Sequence, residues 1–78
     1  MNNYDRVFSS IKKFSAITGF LKGDNCFEVI IRDANVSYTA LFAYLTNLQN
    51  LGLIKYSYEN SFIELTELGE KQEKLFGV

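Results

Sequence analysis

The spacing of apolar side chains divides the chain into stretches of different period. From Tyr4 to about Leu21 they fall at Val7, Phe8, Ile11, Phe14, Ile17 and Leu21. That mixture of threes and fours predicts an amphipathic helix, closed by the turn residues Gly23-Asp24-Asn25. Cys26 to Arg32 (CFEVIIR) is a short apolar run that fits a buried strand or a buried helix equally well. The residues after it favour helix. Asp33-Ala34-Asn35 reads as a short turn with an Asn able to take positive φ, and Ser37 stands where an N-cap belongs. Leu41, Leu45 and Leu48 then form a stripe at i, i+4 and i+7, flanked by Tyr44 and Leu51. The stripe stops at Gly52, a preferred residue just past a helix end.

Beyond Gly52 the period falls to two. Ile54, Tyr56 and Tyr58 alternate with Lys55 and Ser57, and Ile63 and Leu65 alternate with Phe62 and Glu64. Glu59-Asn60-Ser61 lies between the runs, which predicts a two-stranded hairpin over 53–65 with a short tip. Thr66 is placed to cap a last helix, Glu67 and Glu70 suit its N-terminal dipole, and Leu68, Leu75 and Phe76 give it a thin apolar face. With no repeat or composition break, residues 1–78 are expected to form one α+β domain. Its predicted order is helix, helix, turn, helix, hairpin, helix.

Composition narrows the chemistry. At 78 residues the core is small, because such a chain buries only roughly 60% of its unfolded surface. Seven Phe and five Tyr are the natural supplement, and oligomerisation is another. One cysteine excludes an internal disulfide, and Cys26 without any histidine makes no convincing zinc site and no Cys-His or Ser-His nucleophile. No enzyme, metal or cofactor is therefore expected. No segment approaches the ~20 apolar residues of a membrane span, and MNNYDR lacks the plan of a signal peptide, so the expected location is cytoplasmic. Charge is uneven. Residues 1–32 hold five bases (Arg6, Lys12, Lys13, Lys22, Arg32) against three acids, whereas residues 59–78 hold five glutamates against Lys71 and Lys74. A polyanion should meet the first half and the middle rather than the C-terminal end.

A short helix, a turn, a longer helix and a hairpin make a winged helix-turn-helix. At residue level, DANVSYTALFAYLTNLQNLGLI (Asp33–Ile54) together with IELTELGE resembles the archaeal winged-helix regulators, among them small DNA-binding proteins of the Sulfolobus type. The likeness lies in ANVSY, LGLI and LTELGE and covers about the last two-thirds of the chain. It implies a transcription regulator, cellular or viral, that binds duplex DNA, usually as a homodimer. The recognition helix 37–50 would lie in the major groove and the hairpin would act as wing. With the leucines inward, the outward arc is Thr39, Ala43, Thr46 and Asn50, with Tyr38 and Phe42 on one flank and Asn47 on the other. Asn and Thr side chains read base edges, Ala43 or Phe42 meets a thymine methyl, and Ser37 with the free N–H groups beside it holds a phosphate. Lys12, Lys13 and Lys55 are the expected phosphate partners, and Asn60 lies at the wing tip.

The arc itself carries no Lys or Arg, and phosphate contacts by bases normally supply most of the affinity. That fact supports an alternative, a winged helix that docks a protein through its uncharged, aromatic recognition helix. Plainer roles apply residue by residue. Tyr38 and Phe42 flank the core, Tyr44 belongs to it, Lys12-Lys13 and the late glutamates are solvated, and Cys26 is a small buried apolar side chain. For the dimer, Tyr4, Phe8 and Phe14 of the first helix and Leu75 and Phe76 of the last are the expected contributors. The stretch 67–76 is too short for a sustained coiled coil, which leaves the first helix as the main face.

Overall fold

The computed structural model describes residues 3–73. They form an α+β fold whose elements run α1 (Asn3–Ser15), β1 (Phe20–Lys22), α2 (Cys26–Ala34), α3 (Tyr38–Asn50), β2 (Ile54–Ser57), β3 (Phe62–Leu65) and α4 (Glu67–Lys71). The strands make one antiparallel sheet in the order β1-β3-β2. The sheet thus has three strands where the sequence pattern predicts two. No helix among the described residues is long and apolar enough to cross a membrane.

The third strand comes from the expected tail of the first helix. α1 ends at Ser15, whose hydroxyl donates to the Ile11 carbonyl at 2.6 Å, and the chain turns through Gly19 at φ +83°. Ile17, predicted to face the core, is 93% exposed. Phe20–Lys22 then pairs with β3, Leu21 opposite Ile63. Other boundaries move less. α2 continues through Asp33 and Ala34, and only Asn35 leaves the helix, at φ 56°. Tyr58 belongs to the turn rather than to a strand. Leu51 lies exposed beside the leucine stripe. α4 ends at Lys71, with Gln72 extended. Leu75 and Phe76 lie outside the described residues.

α1, α2 and α3 each bury one stripe, whereas α4 buries only Gly69 and leaves Leu68 exposed. Val7, Phe8 and Ile11 of α1, Phe27 and Ile30 of α2, and Leu41, Leu45 and Leu48 of α3 meet over Ile54 and Ile63 of the sheet. Complete burial of such side chains contributes about 1.5–3 kcal/mol each. Cys26 is buried with them, which pushes its thiol pKa up to about 11. Gly52 closes α3 at φ +80°, a conformation that favours glycine. Gly69 has a different reason to lack a side chain, since a Cβ there would sit 2.0 Å from the Leu53 carbonyl oxygen. The start of α4 therefore rests directly on the backbone leading into β2. Its cap is the expected one, with the Gly69 N–H donating to Thr66 Oγ1 at 3.0 Å.

The sheet's outer edges are both met by side chains. The Gly23 N–H donates to the Ser61 carbonyl at 3.0 Å, so the alternation of an antiparallel pair turns Leu21 toward β3 and Phe20 away. Thr18 Oγ1 donates to that outward Phe20 carbonyl at 2.5 Å. On the other side, the Thr66 N–H donates to the Leu53 carbonyl, which turns Tyr56 outward, and its N–H donates to Gln49 Oε1 at 3.0 Å.

Candidate nucleic-acid interface

α3 is positioned by its own sequence. Ser37 adopts extended backbone and its hydroxyl accepts the Ala40 N–H at 3.1 Å, and the helix then runs with Leu41, Leu45 and Leu48 at full burial. Thr39, Ala43, Thr46, Asn47 and Asn50 all face solvent, so the expected outward arc is open. It carries no formal charge. Ser37, Tyr38 and Thr39 are exposed at the helix start, whereas Phe42 is half-buried.

On the flank facing the hairpin, rings dominate. Phe42 meets Phe27 at 5.0 Å between centroids, Tyr58 at 5.2 Å, Tyr38 at 5.9 Å and Tyr56 at 6.4 Å. Tyr58 also stacks on Phe27 at 6.1 Å. Two polar bonds lie beside the rings. The Thr46 and Tyr56 hydroxyls share a hydrogen bond of 2.9 Å, and Gln49 accepts the Tyr56 N–H. Tyr38 and Tyr58 keep 50% and 67% of their surface exposed, so the cluster has an open rim.

On the opposite flank α3 meets α1. Tyr4 packs edge-on against Tyr44, with centroids 4.5 Å apart. The Asn47 Nδ2–H donates to the Tyr4 hydroxyl. Tyr44 is half-buried under this contact rather than part of the deep core. Thus the polar side chains at the middle of the arc, Thr46 and Asn47, are each held by a tyrosine from a different element.

The expected phosphate partners are not grouped beside this arc. Lys12 donates to the Gln72 carbonyl at 2.6 Å and lies over the Phe8 ring. Lys13 pairs with Asp33 at 2.6 Å and lies over Phe14. That ammonium, with the Ser10 hydroxyl next, holds the Asp33 carboxyl below its ordinary value. Arg32 lies 4.0 Å from Glu28. Lys55 alternates with Tyr56, so it projects from the sheet face turned away from α3, with Glu64 as its register partner. Arg6, Lys22 and Lys55 make no ion pair among the described residues. Asn60 sits at the exposed hairpin tip, where its N–H and its amide both donate to Ser57 Oγ at 3.2 Å.

The expected dimer face is largely committed within the chain. Phe8 is buried in the core and Tyr4 is packed on Tyr44. Phe14 stays exposed, joined by Ile17 and Phe20.

Tyr4, Gln49, Tyr56 and Tyr58 shape the site without having been singled out from the sequence as part of it. Gln49 was within reach, because it lies seven residues beyond Phe42 on the same helical flank. Tyr4 and Asn47 are 43 residues apart, and no local pattern joins them. Comparison with protein-family models, with curated proteins and with solved structures gives no match. The likeness carried by ANVSY, LGLI and LTELGE therefore rests on those residues alone.

Proposed function

We propose that the chain is a winged helix-turn-helix regulator that binds duplex DNA. In this reading α2, the Asn35-centred turn and α3 form the helix-turn-helix, α3 enters the major groove, and the β2–β3 hairpin is the wing. The observation that carries it is the outward arc of α3, which is exposed, uncharged and polar at its centre, with Thr46 and Asn47 held from both flanks. Side chains fixed before binding lose less entropy on contact, which favours reading bases over merely adhering to phosphates. Few bases are placed to help. The Ser37 end of α3 supplies free N–H groups for one phosphate, and Lys55, on the hairpin face turned away from α3, is the base the wing offers to a second.

Selection over random duplexes, followed by titration of the enriched duplex at two salt concentrations, tests the proposal. We expect enrichment of a defined sequence and a shallow slope of about −2 to −3 in log K against log salt, as two or three phosphate contacts give. Lys55→Ala should reduce that slope by about one. Selection that enriches nothing overturns the reading.

A second reading has its own support. Lys12, Lys13 and Arg32 are engaged within the chain, and Tyr38 and Tyr58 present an open aromatic rim around Phe42. A protein-docking module with that rim as its contact surface would show no duplex preference, and Tyr58→Ser would abolish partner capture while leaving the fold intact.

A further inference from the structure

We propose that Tyr4 fixes the Asn47 side-chain amide so that α3 reads an adenine, which makes Tyr4 a positioning residue for base recognition. The inference rests on the duplex-DNA reading above and adds to it the base that is read and the residue that sets the choice.

A free asparagine side chain is nearly symmetric in shape, and turning it by half a rotation exchanges its oxygen for its nitrogen. Its ability to tell bases apart depends on which way it is held. Nδ2 carries two hydrogens, and Oδ1 is an acceptor. In this structure one Nδ2 hydrogen is donated to the Tyr4 hydroxyl. Oδ1 and the other hydrogen are not used in that bond, and Asn47 is exposed on the arc of α3. That donor–acceptor pair matches one base edge in the major groove. Adenine offers N7 as acceptor and its N6 amino group as donor. Guanine offers acceptors at both N7 and O6, which would set O6 against Oδ1. Thymine and cytosine each present a single polar group there.

Tyr4 is suited to hold this orientation because its own ring is held. It packs edge-on against Tyr44, one turn before Asn47 on the same flank of α3. The hydroxyl is thus fixed relative to α3 rather than carried on a free side chain. Ala43, exposed one turn before Asn47 on the same row, presents only a methyl group. It offers an apolar neighbour for a thymine C5-methyl at the adjacent pair.

The experiment has two readouts, one without DNA. In the free protein, nitrogen–proton correlation spectra report the two Asn47 amide protons separately. Tyr4→Phe keeps the ring and removes the hydroxyl, and it should bring the two proton shifts together, whereas Ala43→Ser should not. On the enriched duplex, 7-deazaadenine replaces each adenine in turn and so deletes one N7 acceptor at a time. At one position the unaltered protein should lose about tenfold in affinity, and Tyr4→Phe only about twofold, with equal salt slopes for both proteins. A purely structural role for Tyr4 would weaken every duplex alike. If Tyr4→Phe retains the full tenfold penalty while sequence-selective binding persists, Asn47 orients itself and the proposal falls with the DNA reading intact. If Asn47→Ala shows the same penalty, another residue reads that base and the proposal falls likewise. If selection enriches no duplex, both fall together.

Discussion

On its hairpin side α3 is packed through rings, and on its α1 side through one ring pair and one solvent-facing hydrogen bond. Phe42 lies within a cluster that joins α2, α3 and the hairpin, and each favourable ring pair adds about 0.5–1.5 kcal/mol beyond its buried area. The Tyr4–Asn47 bond is exposed, and such bonds contribute about 1 kcal/mol or less. The hairpin flank therefore supplies stability, tying the sheet to α3 by forces that barely respond to salt or pH. The α1 flank adds a single ring pair, Tyr4 on Tyr44, and carries the bond that holds the Asn47 amide. More of the ring packing thus lies on one side of the helix and the amide contact on the other, where substitutions can separate them.

The largest effect should come from removing what both flanks share. Leu45→Ala leaves a cavity beneath α3 and should cost about 2–5 kcal/mol. For a domain of this size that lowers the thermal midpoint by about 10 °C or more, read by circular dichroism. An unchanged midpoint would mean that α3 lies in another register. Phe42→Ala should follow, at about 2–4 kcal/mol because Phe42 is only half-buried. Hydrogen exchange should then quicken in β2 and β3 more than in α1. A uniform increase would erase the distinction between the flanks.

α3 was legible in the sequence because its determinants are local. Ser37 caps it, the leucines repeat at three and four, and Gly52 ends it within a single run of residues. The hairpin was legible for the same reason. β1 was not. Ile17 and Leu21 continue the apolar spacing of α1, and a three-residue strand is too short to show a period of two. Its pairing with β3, 42 residues on from Leu21 to Ile63, is what makes it a strand. The site divides along the same line. Once the leucines point inward the outward arc follows, so the exposure of Thr39, Ala43, Thr46 and Asn47 was legible. The tyrosines that hold Thr46 and Asn47 come from other elements and gave no local signal.

Smaller effects sharpen the comparison. Gln49→Ala removes the acceptor for the Tyr56 N–H and should cost about 1 kcal/mol by urea unfolding, while Gln49→Glu, which keeps an acceptor, should cost less. The Lys13–Asp33 pair gives a pH test on the α1 side. Asp33 titrates below its ordinary value of 3.8, because of Lys13 first and Ser10 second. Its contribution is complete above that ordinary value and is lost as pH falls through the lower folded-state value. Asp33→Asn should therefore lower stability slightly at neutral pH, the pair being solvent-exposed, and make no difference well below about pH 4, so that the acid limb becomes shallower. Tyr4→Phe should change stability least of all, by about 0.5 kcal/mol or less.

The side chains that meet the two outer strands bear on how the chain behaves in a crowd. An open strand edge is a template on which one chain recruits the next, and ordered aggregates and fibrils grow from such edges. Here Thr18 engages the outward carbonyl of Phe20 and Gln49 engages the outward N–H of Tyr56. Neither residue is in the apolar core, and a reading of packing alone would rank both as replaceable. Their loss should therefore show in turbidity and slow precipitation from concentrated solution as well as in unfolding. For this small sheet, two polar side chains outside the core occupy the positions where a second chain would add.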